Sequence, residues 1–305
     1  MINQSINTIY VSYNSQVLLS ESLSSFHSFI DCSNLKFFIV NNDFSSSFPN
    51  GLLCKDLNIK FLTPSSNLGF AKANNLAAGQ SDSEYLCFLN PDTLVKQDFF
   101  TPIIDFINSH PEAGACAPAL EYDDGSYQSS AGNTMGFWYD FLEATMLISF
   151  SRKRQRNCIE ALAESGTPLK VGWVSGACMI IKKNVFDSIG GFTENYFLNY
   201  EDIDLCKKLE DAGYQNYIFP GLKCTHLDHK SFESNFELLV YTRYESRLIY
   251  SSLHYSAVKR LLARLIHLGG LLLRIVLVNF QYHGKERSGR RTGYLRSLKL
   301  YLGLN

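Results

Sequence analysis

Hydrophobic and polar residues alternate along the first 120 residues in a regular rhythm of short apolar runs and longer amphipathic stretches. The apolar runs Ile6–Tyr13, Leu35–Val40 and Tyr85–Leu89 are rich in β-branched and aromatic residues, which favour strands. Ser15–Ile30 instead has apolar residues at helical spacing, and Asp98–Ser109 is also predicted to be helical. This alternation predicts an α/β fold with a mainly parallel sheet covered by helices on both faces.

Polar residues follow three of the predicted strands at the point where each strand ends. Asn14, Asp43 and Asp92 come directly after apolar runs. In sheets of this kind, ligands bind beyond the carboxyl ends of the strands, so we expect a binding site at that edge. Taken alone, an aspartate that follows a proline, as in Asn90-Pro91-Asp92, is more often a turn residue.

The middle of the chain is harder to interpret. Asp124-Gly125, within the segment 121–128, predicts a hairpin turn. Residues 135–170 contain an apolar stretch, Phe137–Phe150, followed by a basic cluster at 151–156, and their periodicity predicts no element. A helix is predicted from Glu201 to Gly213, with a strand after it.

The C-terminal part differs from the rest in charge. Residues 246–305 carry eleven lysines and arginines against one acid, Glu286, which gives this segment a net charge of +10. The whole chain has a net charge of −1, so the first 245 residues carry −11. A strongly basic segment in an otherwise acidic chain indicates a different kind of surface.

Two helices are predicted in this region, from about Phe232 to Tyr255 and from Ala257 to Phe280. The apolar stretch Leu261–Phe280 has the length of a membrane span, but Arg264 and Arg274 interrupt it. We therefore expect an amphipathic helix that lies on an anionic leaflet. The alternative is a helix that packs on the rest of the protein and exposes a basic face.

Composition narrows the remaining classes. The chain has 305 residues and is 46% hydrophobic, which suits one large domain or one domain with an extension. Its eight cysteines are scattered and none forms a C-x-x-C pair, which indicates core cysteines in a reducing compartment. The N-terminus lacks a basic start followed by a long apolar run, so no signal peptide is expected.

An acidic cluster is the first candidate for chemistry. Glu201, Asp202 and Asp204 follow an aromatic run and open a predicted helix. Carboxylates in the first turn of a helix are common because the helix dipole favours them. An acid at a pocket edge can also accept a proton from a sugar hydroxyl, so both interpretations stay open.

Two further segments are candidates for binding. His226 and His229 follow a predicted strand, and in a chain with acids at the sheet edge one of them is a candidate metal ligand. The segment Asn67–Asn75 opens a helix, where Gly69 permits close backbone approach and the helix N-terminus favours phosphate. A satisfied surface histidine and an ordinary capped helix are the alternatives.

Together and in this order, seven segments resemble family 2 inverting glycosyltransferases, above all the bacterial rhamnosyltransferases of O-antigen and cell-wall polysaccharide assembly. The resemblance covers roughly residues 6–235. The matching segments are VSYNS at 11–15, VNNDFSSS at 40–47, NLGFAKANN at 67–75, FLNPDT at 88–93, WVSGACMIIKK at 173–183, GGFTENYFLNYEDIDLCKKLEDAGY at 190–214 and CTHLDHKSF at 224–232.

This resemblance implies a GT-A fold, which is a Rossmann-like α/β domain with a mixed sheet, over residues 1–235. Residues 236–305 are then a basic, amphipathic helical extension. The resemblance also implies roles for individual residues. The residues implied to bind the nucleotide sugar are Tyr13, Asn14, Asp43, Asn67, Gly69, Asn74 and Asn90, and those on the acceptor side are Trp173, Ser175 and Gly176. Asp202 is implied to be the catalytic base, with Glu201 as the alternative. Asp92 and His226 are implied to bind Mg²⁺ or Mn²⁺.

One position departs from the family pattern. Asn90 stands where the first carboxylate of the Asp-x-Asp metal motif is expected. Fewer charges weaken the intrinsic affinity for a cation, so the ion is expected to arrive with the nucleotide. The same replacement occurs in the rhamnosyltransferase-like branch, and it therefore favours that subfamily.

The implied activity is transfer of a sugar, with L-rhamnose from dTDP-rhamnose as the first choice, to a polyprenyl-diphosphate-linked glycan in cell-surface polysaccharide biosynthesis. The enzyme is expected to be cytoplasmic and peripheral at the inner face of the cytoplasmic membrane. The alternatives are a donor such as a UDP-hexose, UDP-galactofuranose or a UDP-N-acetylhexosamine, and a non-catalytic nucleotide- or glycan-binding module. The basic residues accompany leucine-rich helical sequence, so nucleic-acid binding is not expected.

Overall fold

The computed structural model describes residues 4–43, 57–227 and 235–304. The chain divides into two compact units. We call the first the sheet unit; it comprises Met1–Thr134, Gln155–Glu194 and Glu201–His229. We call the second the helical unit; it comprises Met135–Arg154, Asn195–Tyr200 and Lys230–Asn305. Two segments that precede residue 235 thus group with the C-terminal helices, while the functional division at residue 235 stays a prediction.

The described strands are short and mostly buried. They are β1 Ile6–Ser12, β2 Leu35–Asn41, β3 Ile59–Leu62, β4 Tyr85–Leu89, β5 Thr93–Leu94, β6 Ala113–Glu121, β7 Ala131–Gly132, β8 Leu169–Val171, β9 Trp173–Val174, β10 Cys178–Lys182 and β11 Gln215–His226. The described helices are α1 Gln16–Phe26, α2 Gly69–Ala78, α3 Phe100–Ser109, α4 Phe137–Ala144, α5 Ile148–Leu162, α6 Lys183–Ser188, α7 Glu201–Asp211, α8 Phe236–His254, α9 Ala257–Gln281 and α10 Gly284–Leu302.

Nine of the described strands form one mixed sheet in the order β3-β2-β1-β4-β10-β6-β11-β5, with β8 paired to β11. Strands β1 to β4 run parallel, whereas β10 runs antiparallel to both β4 and β6. The parallel pairing expected from the first 120 residues is confirmed for β1 to β4, and β10 makes the sheet mixed, as the family resemblance implied.

Helices cover both faces of the sheet, as the alternating pattern predicts. Because side chains alternate along a strand, Phe37 and Ile39 of β2 pack on one face and Phe38 and Val40 on the other. The first face is covered by α1 and α3, and the second by α2, α6 and α7. Strand β4 is buried at every position, which explains its unbroken apolar sequence.

The helical unit contains α4, α8, α9 and α10; the apolar pattern predicted no separate helix at α10, which lies within the helical extension that the resemblance implied for residues 236–305. Glycines let these helices approach closely. A Cβ on Gly293 of α10 would lie 2.8 Å from the side chain of Val240, and one on Gly270 of α9 would lie 2.9 Å from the carbonyl oxygen of Ala144. The predicted start of the first helix at Phe232 lies outside the described residues; α8 begins at Phe236, where the Asn235 side chain caps it.

Candidate active site

The carboxyl ends of β1, β2 and β4 lie at one edge of the sheet because these strands are parallel neighbours. Strand β10 runs the other way and pairs Cys178 with Leu89, so the loop before β10 meets the end of β4. Strand β11 pairs His226 with Thr93. The topology therefore gathers at this edge the segments that carry Asp43, Asp92, Gly176 and His226.

Asn42, at the end of β2, connects that strand to the start of α2. Its amide nitrogen donates to Asn67 Oδ1 at 2.8 Å, and its oxygen accepts from the Leu68 backbone nitrogen at 2.8 Å. Gly69 has a φ of 74°, the left-handed conformation that favours glycine. The start of α2 is thus held against the sheet edge, with the backbone N–H groups of Leu68 and Gly69 bonded to the side-chain oxygens of Asn42 and Asn67.

The same helix is tied to the segment after α6. Asn75 donates to the Phe192 carbonyl oxygen at 2.8 Å and accepts from the Phe192 backbone nitrogen at 2.9 Å. Asn74 lies one residue earlier, where its amide donates to the Phe70 carbonyl oxygen within the helix at 3.0 Å. These bonds give Asn75 a structural role and leave the predicted role of Asn74 in sugar binding as a prediction.

The predicted metal ligands form a close pair. His226 Nε2 lies 3.1 Å from Asp92 Oδ1, and both side chains are more than four-fifths buried. The Asn90 amide nitrogen lies 3.4 Å from the same Nε2. On the other side of the ring, His226 Nδ1 lies 2.7 Å from Gln128 Oε1. The structure thus brings Asp92, His226 and Asn90 together at one point of the edge.

The pair fits a divalent cation. Two neighbouring ligands of an octahedral ion, each at about 2.1 Å, are about 3 Å apart, which is close to the observed separation. The described residues contain no group of three or more His, Cys, Asp and Glu side chains placed to hold a metal. A site of one carboxylate and one imidazole leaves most positions to phosphate and water oxygens, the arrangement typical of Mg²⁺ bound with a nucleotide.

The acidic pair begins α7. Asp202 is partly buried and accepts two backbone hydrogen bonds, from Gly176 N to Oδ2 at 3.0 Å and from its neighbour Ile203 N to Oδ1 at 2.8 Å. Burial raises the pKa of Asp202, and these two N–H groups act against that rise because they stabilise the carboxylate.

Glu201 has a different environment. It is buried, and within the part of the chain that the structure describes its Oε2 has no hydrogen-bond partner. Burial and the neighbouring charge of Asp202 raise the pKa of Glu201 to about 8. The two environments therefore favour a shared proton on Glu201 rather than on Asp202.

The backbone immediately before these two acids is strained. Asn199 and Tyr200 have φ values of 67° and 73°, both in the left-handed region. Asparagine tolerates this conformation, but a bulky aromatic residue in it is an outlier. Strain of this kind clusters at functional sites, and here it lies immediately before Glu201 and Asp202.

The residues predicted on the acceptor side differ in their placement. Gly176 contacts Asp202 directly through its backbone nitrogen, and the Ser175 backbone nitrogen donates to Ser130 O at 2.8 Å. Trp173 lies on the small β7–β9 sheet, where its ring packs against Gly132. A Cβ at Gly132 would lie only 2.1 Å from the indole nitrogen, so the ring fills the space that a side chain there would need. An acceptor role for Trp173 stays a prediction.

The remaining predicted residues lie near the ends of β1 and β2. Asp43 is buried, Asn14 has a left-handed φ of 51°, and Tyr13 is 44% exposed. Their roles toward a nucleotide stay predictions. Sequence reasoning missed two residues that the geometry makes prominent, Asn42 and Gln128. The Asn41-Asn42 pair at a strand end is a signal for the former, whereas nothing in the sequence relates Gln128 to His226.

The chain matches the family model described as Glycosyl transferase family 2 over residues 8–190. This match covers more than half of the chain, and the protein belongs to that family. This match confirms the family and the enzyme class expected from the sequence motifs, which is that of a glycosyltransferase.

Curated relatives narrow the comparison further. The chain is 26% identical over 280 residues to the N-acetylglucosaminyl-diphospho-decaprenol L-rhamnosyltransferase of Mycobacterium tuberculosis, which covers 87% of this chain and 88% of that protein. It is 27% identical over 175 residues to the rhamnosyltransferase WbbL of Escherichia coli, which covers 55% of this chain and 64% of that protein.

Solved structures show the fold. The mannosyltransferase PcManGT of Pyrobaculum calidifontis, solved with GDP-Man and Mn²⁺, superposes with a TM-score of 0.58 at 15% identity over 98% of this chain and 85% of that one. Residues 1–349 of S. aureus TarS give a TM-score of 0.54 at 12% identity over 98% and 83%. The predicted GT-A fold with C-terminal helices is confirmed.

Proposed function

We propose that this glycosyltransferase transfers L-rhamnose from dTDP-rhamnose to a polyprenyl-diphosphate-linked glycan during cell-surface polysaccharide biosynthesis. The observation that carries the proposal is the shared sheet edge at which the Asp92–His226 pair, the start of α2 and the Gly176–Asp202 contact meet. The names of the Mycobacterium tuberculosis and Escherichia coli relatives support the choice of sugar, and the former supports the lipid-linked acceptor.

Asp202 is the proposed base. It removes the proton from an acceptor hydroxyl, and the resulting oxygen attacks the anomeric carbon on the face opposite the nucleoside diphosphate, which leaves with the electron pair of the broken bond. Its two backbone N–H donors fix the carboxylate and stabilise its ionised form. Glu201, which retains its proton at neutral pH, is less suited to this role.

Asp92 and His226 are the proposed protein ligands of a divalent cation, Mg²⁺ or Mn²⁺. When bound, such an ion neutralises charge that develops on the departing diphosphate. Asn90 donates toward His226 Nε2 and adds no charge to the pair. Because the protein supplies a single carboxylate, we expect the ion to bind tightly only together with the nucleotide. The Mn²⁺ in the structure of the mannosyltransferase supports a metal of this class.

The donor is proposed to place its diphosphate at the start of α2, near Asn67 and Gly69, since a helix N-terminus favours an anion and Gly69 permits close approach of the backbone. Asp43, with Tyr13 and Asn14, is proposed to contact the nucleoside. Ser175 and Gly176 are proposed to border the acceptor hydroxyl because Gly176 contacts the proposed base.

The transferase assay tests this proposal. Purified protein is incubated with Mn²⁺, a synthetic polyprenyl-diphosphate-N-acetylglucosamine and either dTDP-rhamnose or one of several UDP-sugars, and products are weighed by mass spectrometry. We expect a gain of one deoxyhexose with dTDP-rhamnose alone, and none from Asp92→Ala. Transfer from a UDP-sugar only would reject rhamnose. Failure to bind any of these donors with Mn²⁺ in calorimetry would favour the non-catalytic alternative.

We further propose that the enzyme is peripheral at the inner face of the cytoplasmic membrane, where such an acceptor resides. Helix α9 supports this location because one of its faces is apolar and exposed along its whole length, about 37 Å. The exposed apolar residues are Val258, Leu261, Leu262, Leu265, Leu272, Leu273, Val276 and Phe280. Exposed basic residues of α9 and α10 complement an anionic leaflet.

The opposite face of α9 argues against a membrane span, although α9 has the length and composition of one. His267 Nε2 lies 3.1 Å from Asp140 Oδ1, and Arg274 Nη2 lies 3.2 Å from Glu143 Oε1. A spanning helix would have to break these buried pairs in hydrocarbon, which is costly. A helix that lies in the plane of the interface keeps both pairs and buries only its apolar face.

Matched Val→Glu variants test the docking face. Val276 on α9 and Val17 on α1 are 57% and 65% exposed, so both substitutions are tolerated equally by the fold. We expect co-sedimentation of the wild type with phosphatidylglycerol-rich vesicles at low salt. Val276→Glu should weaken this binding at least about tenfold, since it loses an apolar contact and adds repulsion, while Val17→Glu should not. Equal binding of the two variants would reject this face.

A further inference from the structure

The hairpin turn between β6 and β7 fixes the position of the residues that follow it. Its backbone bonds, Tyr122 N to Ser126 O at 2.9 Å and Gly125 N to Tyr122 O at 2.9 Å, close the turn. Gly125 supplies the left-handed φ of 79° that the turn needs. The chain then runs back along the end of β6, where Gln128 N donates to Leu120 O at 2.8 Å. The backbone of Gln128 is thereby fixed.

From this position the Gln128 side chain reaches the imidazole of His226. Its Oε1 lies 2.7 Å from His226 Nδ1, and Gln128 is only 9% exposed. An amide oxygen can only accept, so this contact favours the tautomer in which Nδ1 carries the proton and donates a hydrogen bond to Gln128. A neutral imidazole has a single N–H, and therefore Nε2 carries the lone pair.

The lone pair on Nε2 faces the second proposed ligand. Asp92 Oδ1 lies 3.1 Å from Nε2, and the Asn90 amide nitrogen, a donor, lies 3.4 Å from it. In the other tautomer, Nε2 would carry the proton and donate it to the Asp92 carboxylate. That bond would be well formed at 3.1 Å, and it would occupy both ligands with each other.

We infer that Gln128 is a positioning residue that holds His226 in the tautomer able to bind a cation. The inference rests on the proposed role of Asp92 and His226 as metal ligands, and it assigns a function to the hairpin that the sequence predicts. Partners of this kind, bonded to the far nitrogen of a ligand histidine, typically change metal affinity by about 10–100-fold.

Three variants separate this role from a structural one. Gln128→Leu removes the acceptor at similar volume, and Gln128→Glu keeps an acceptor on the same stem. Gln97→Leu is the matched control because Gln97 Nε2 donates to the Lys223 carbonyl oxygen, at 3.2 Å, on the strand that carries His226. It makes the same change beside β11 without a bond to the imidazole.

The first measurement is made on metal-free protein. Long-range ¹H–¹⁵N NMR at alkaline pH distinguishes the two tautomers of His226 directly. We expect the Nδ1–H form in the wild type, in Gln97→Leu and in Gln128→Glu, and a substantial Nε2–H population in Gln128→Leu. An unchanged tautomer in Gln128→Leu would overturn the inference, whether or not the protein transfers rhamnose.

The second measurement is Mn²⁺ binding in the presence of dTDP, followed by electron paramagnetic resonance. We expect Gln128→Leu to weaken Mn²⁺ binding by about 10–100-fold, Gln128→Glu to bind at least as tightly as the wild type, and Gln97→Leu to be unchanged. Equal affinity in Gln128→Leu and wild type would reject the positioning role. Absence of Mn²⁺ binding in the wild type would instead reject the metal site of the proposed function.

Discussion

Two buried glutamates of this protein have opposite acid–base properties. In the helical unit, Glu143 contacts the guanidinium groups of Arg247 and Arg274. Burial alone would raise the pKa of Glu143, but these two cations overcome the effect and lower it to about 2. In the sheet unit, Glu201 is buried beside another carboxylate, and its pKa is raised to about 8.

This difference distinguishes a buried acid that stabilises the fold from one that is suited to catalysis. A buried acid that is matched by guanidinium groups stays ionised and is locked in place, so it serves the fold. A buried acid without such a match is costly to retain, and pairs of acids whose environments push their pKa values apart are typical of catalytic sites. The ionised form of Asp202 is stabilised by backbone N–H groups rather than by a cation, which leaves the carboxylate available to a substrate proton.

The largest expected effect comes from Asp202→Asn, which tests the proposed catalytic role of the acidic pair in the sheet unit. The amide keeps the shape and one acceptor for the Gly176 N–H but cannot take up a proton. We expect turnover to fall by about 10²–10⁴-fold, with dTDP-rhamnose binding by calorimetry changed by less than about twofold.

Asp211→Asn is the control for this variant because Asp211 ends the same helix, is exposed and pairs with Lys207. It should retain wild-type turnover. A fully active Asp202→Asn enzyme would remove Asp202 from the mechanism and make Glu201 the candidate base.

The next prediction tests the stabilising role of Glu143 in the helical unit. Glu143→Gln leaves Arg247, which is 5% exposed, without its neutralising charge. We expect the free energy of unfolding of the helical unit, from urea titration, to fall by about 3–5 kcal/mol at neutral pH. Because the pKa of Glu143 is lowered, its stabilising effect is complete above the unfolded value of 4.5 and is lost as the pH falls toward about 2.

Glu237→Gln provides the contrast, since Glu237 pairs at 3.4 Å with Arg296 and both side chains are more than a third exposed. This change should cost less than about 1 kcal/mol. Similar losses in the two variants would mean that the Glu143 cluster is hydrated and that the comparison with Glu201 does not hold.

The sequence predicted well what periodicity and order encode. Strands β1, β2 and β4, helix α7 and the hairpin at Asp124-Gly125 agree with their predictions because each has a strong local signal. Helix α10 lies in the helical extension that the resemblance implied, but local periodicity did not predict it, since its polar, glycine-containing sequence has almost no apolar face and its helix depends on packing against α8. The antiparallel direction of β10 is a tertiary property that no local pattern specifies.

The site was predicted less completely, for a related reason. Family order identified Asp92, His226, Gly176 and Asp202, and the structure brings these residues into two contacting pairs. The sequence left open which acid is the base. The environments of the two acids differ in part because the Gly176 N–H, in a loop 26 residues away, donates to Asp202. It also could not find Gln128, whose contact with His226 joins residues 98 positions apart.

The last test of the comparison is Glu201→Gln, which removes the cost of keeping Glu201 buried. Between the unfolded pKa of 4.5 and the folded pKa of about 8, the native state holds a proton that the unfolded state has released. Stability therefore falls as the pH rises through this range, by at most about 1.4 kcal/mol per pH unit. The glutamine variant lacks this proton, so it should gain stability over the wild type from about pH 5 to pH 8 in thermal unfolding. Parallel curves for the two proteins would mean that Glu201 is ionised in the native state, and they would make it a rival to Asp202 as the base.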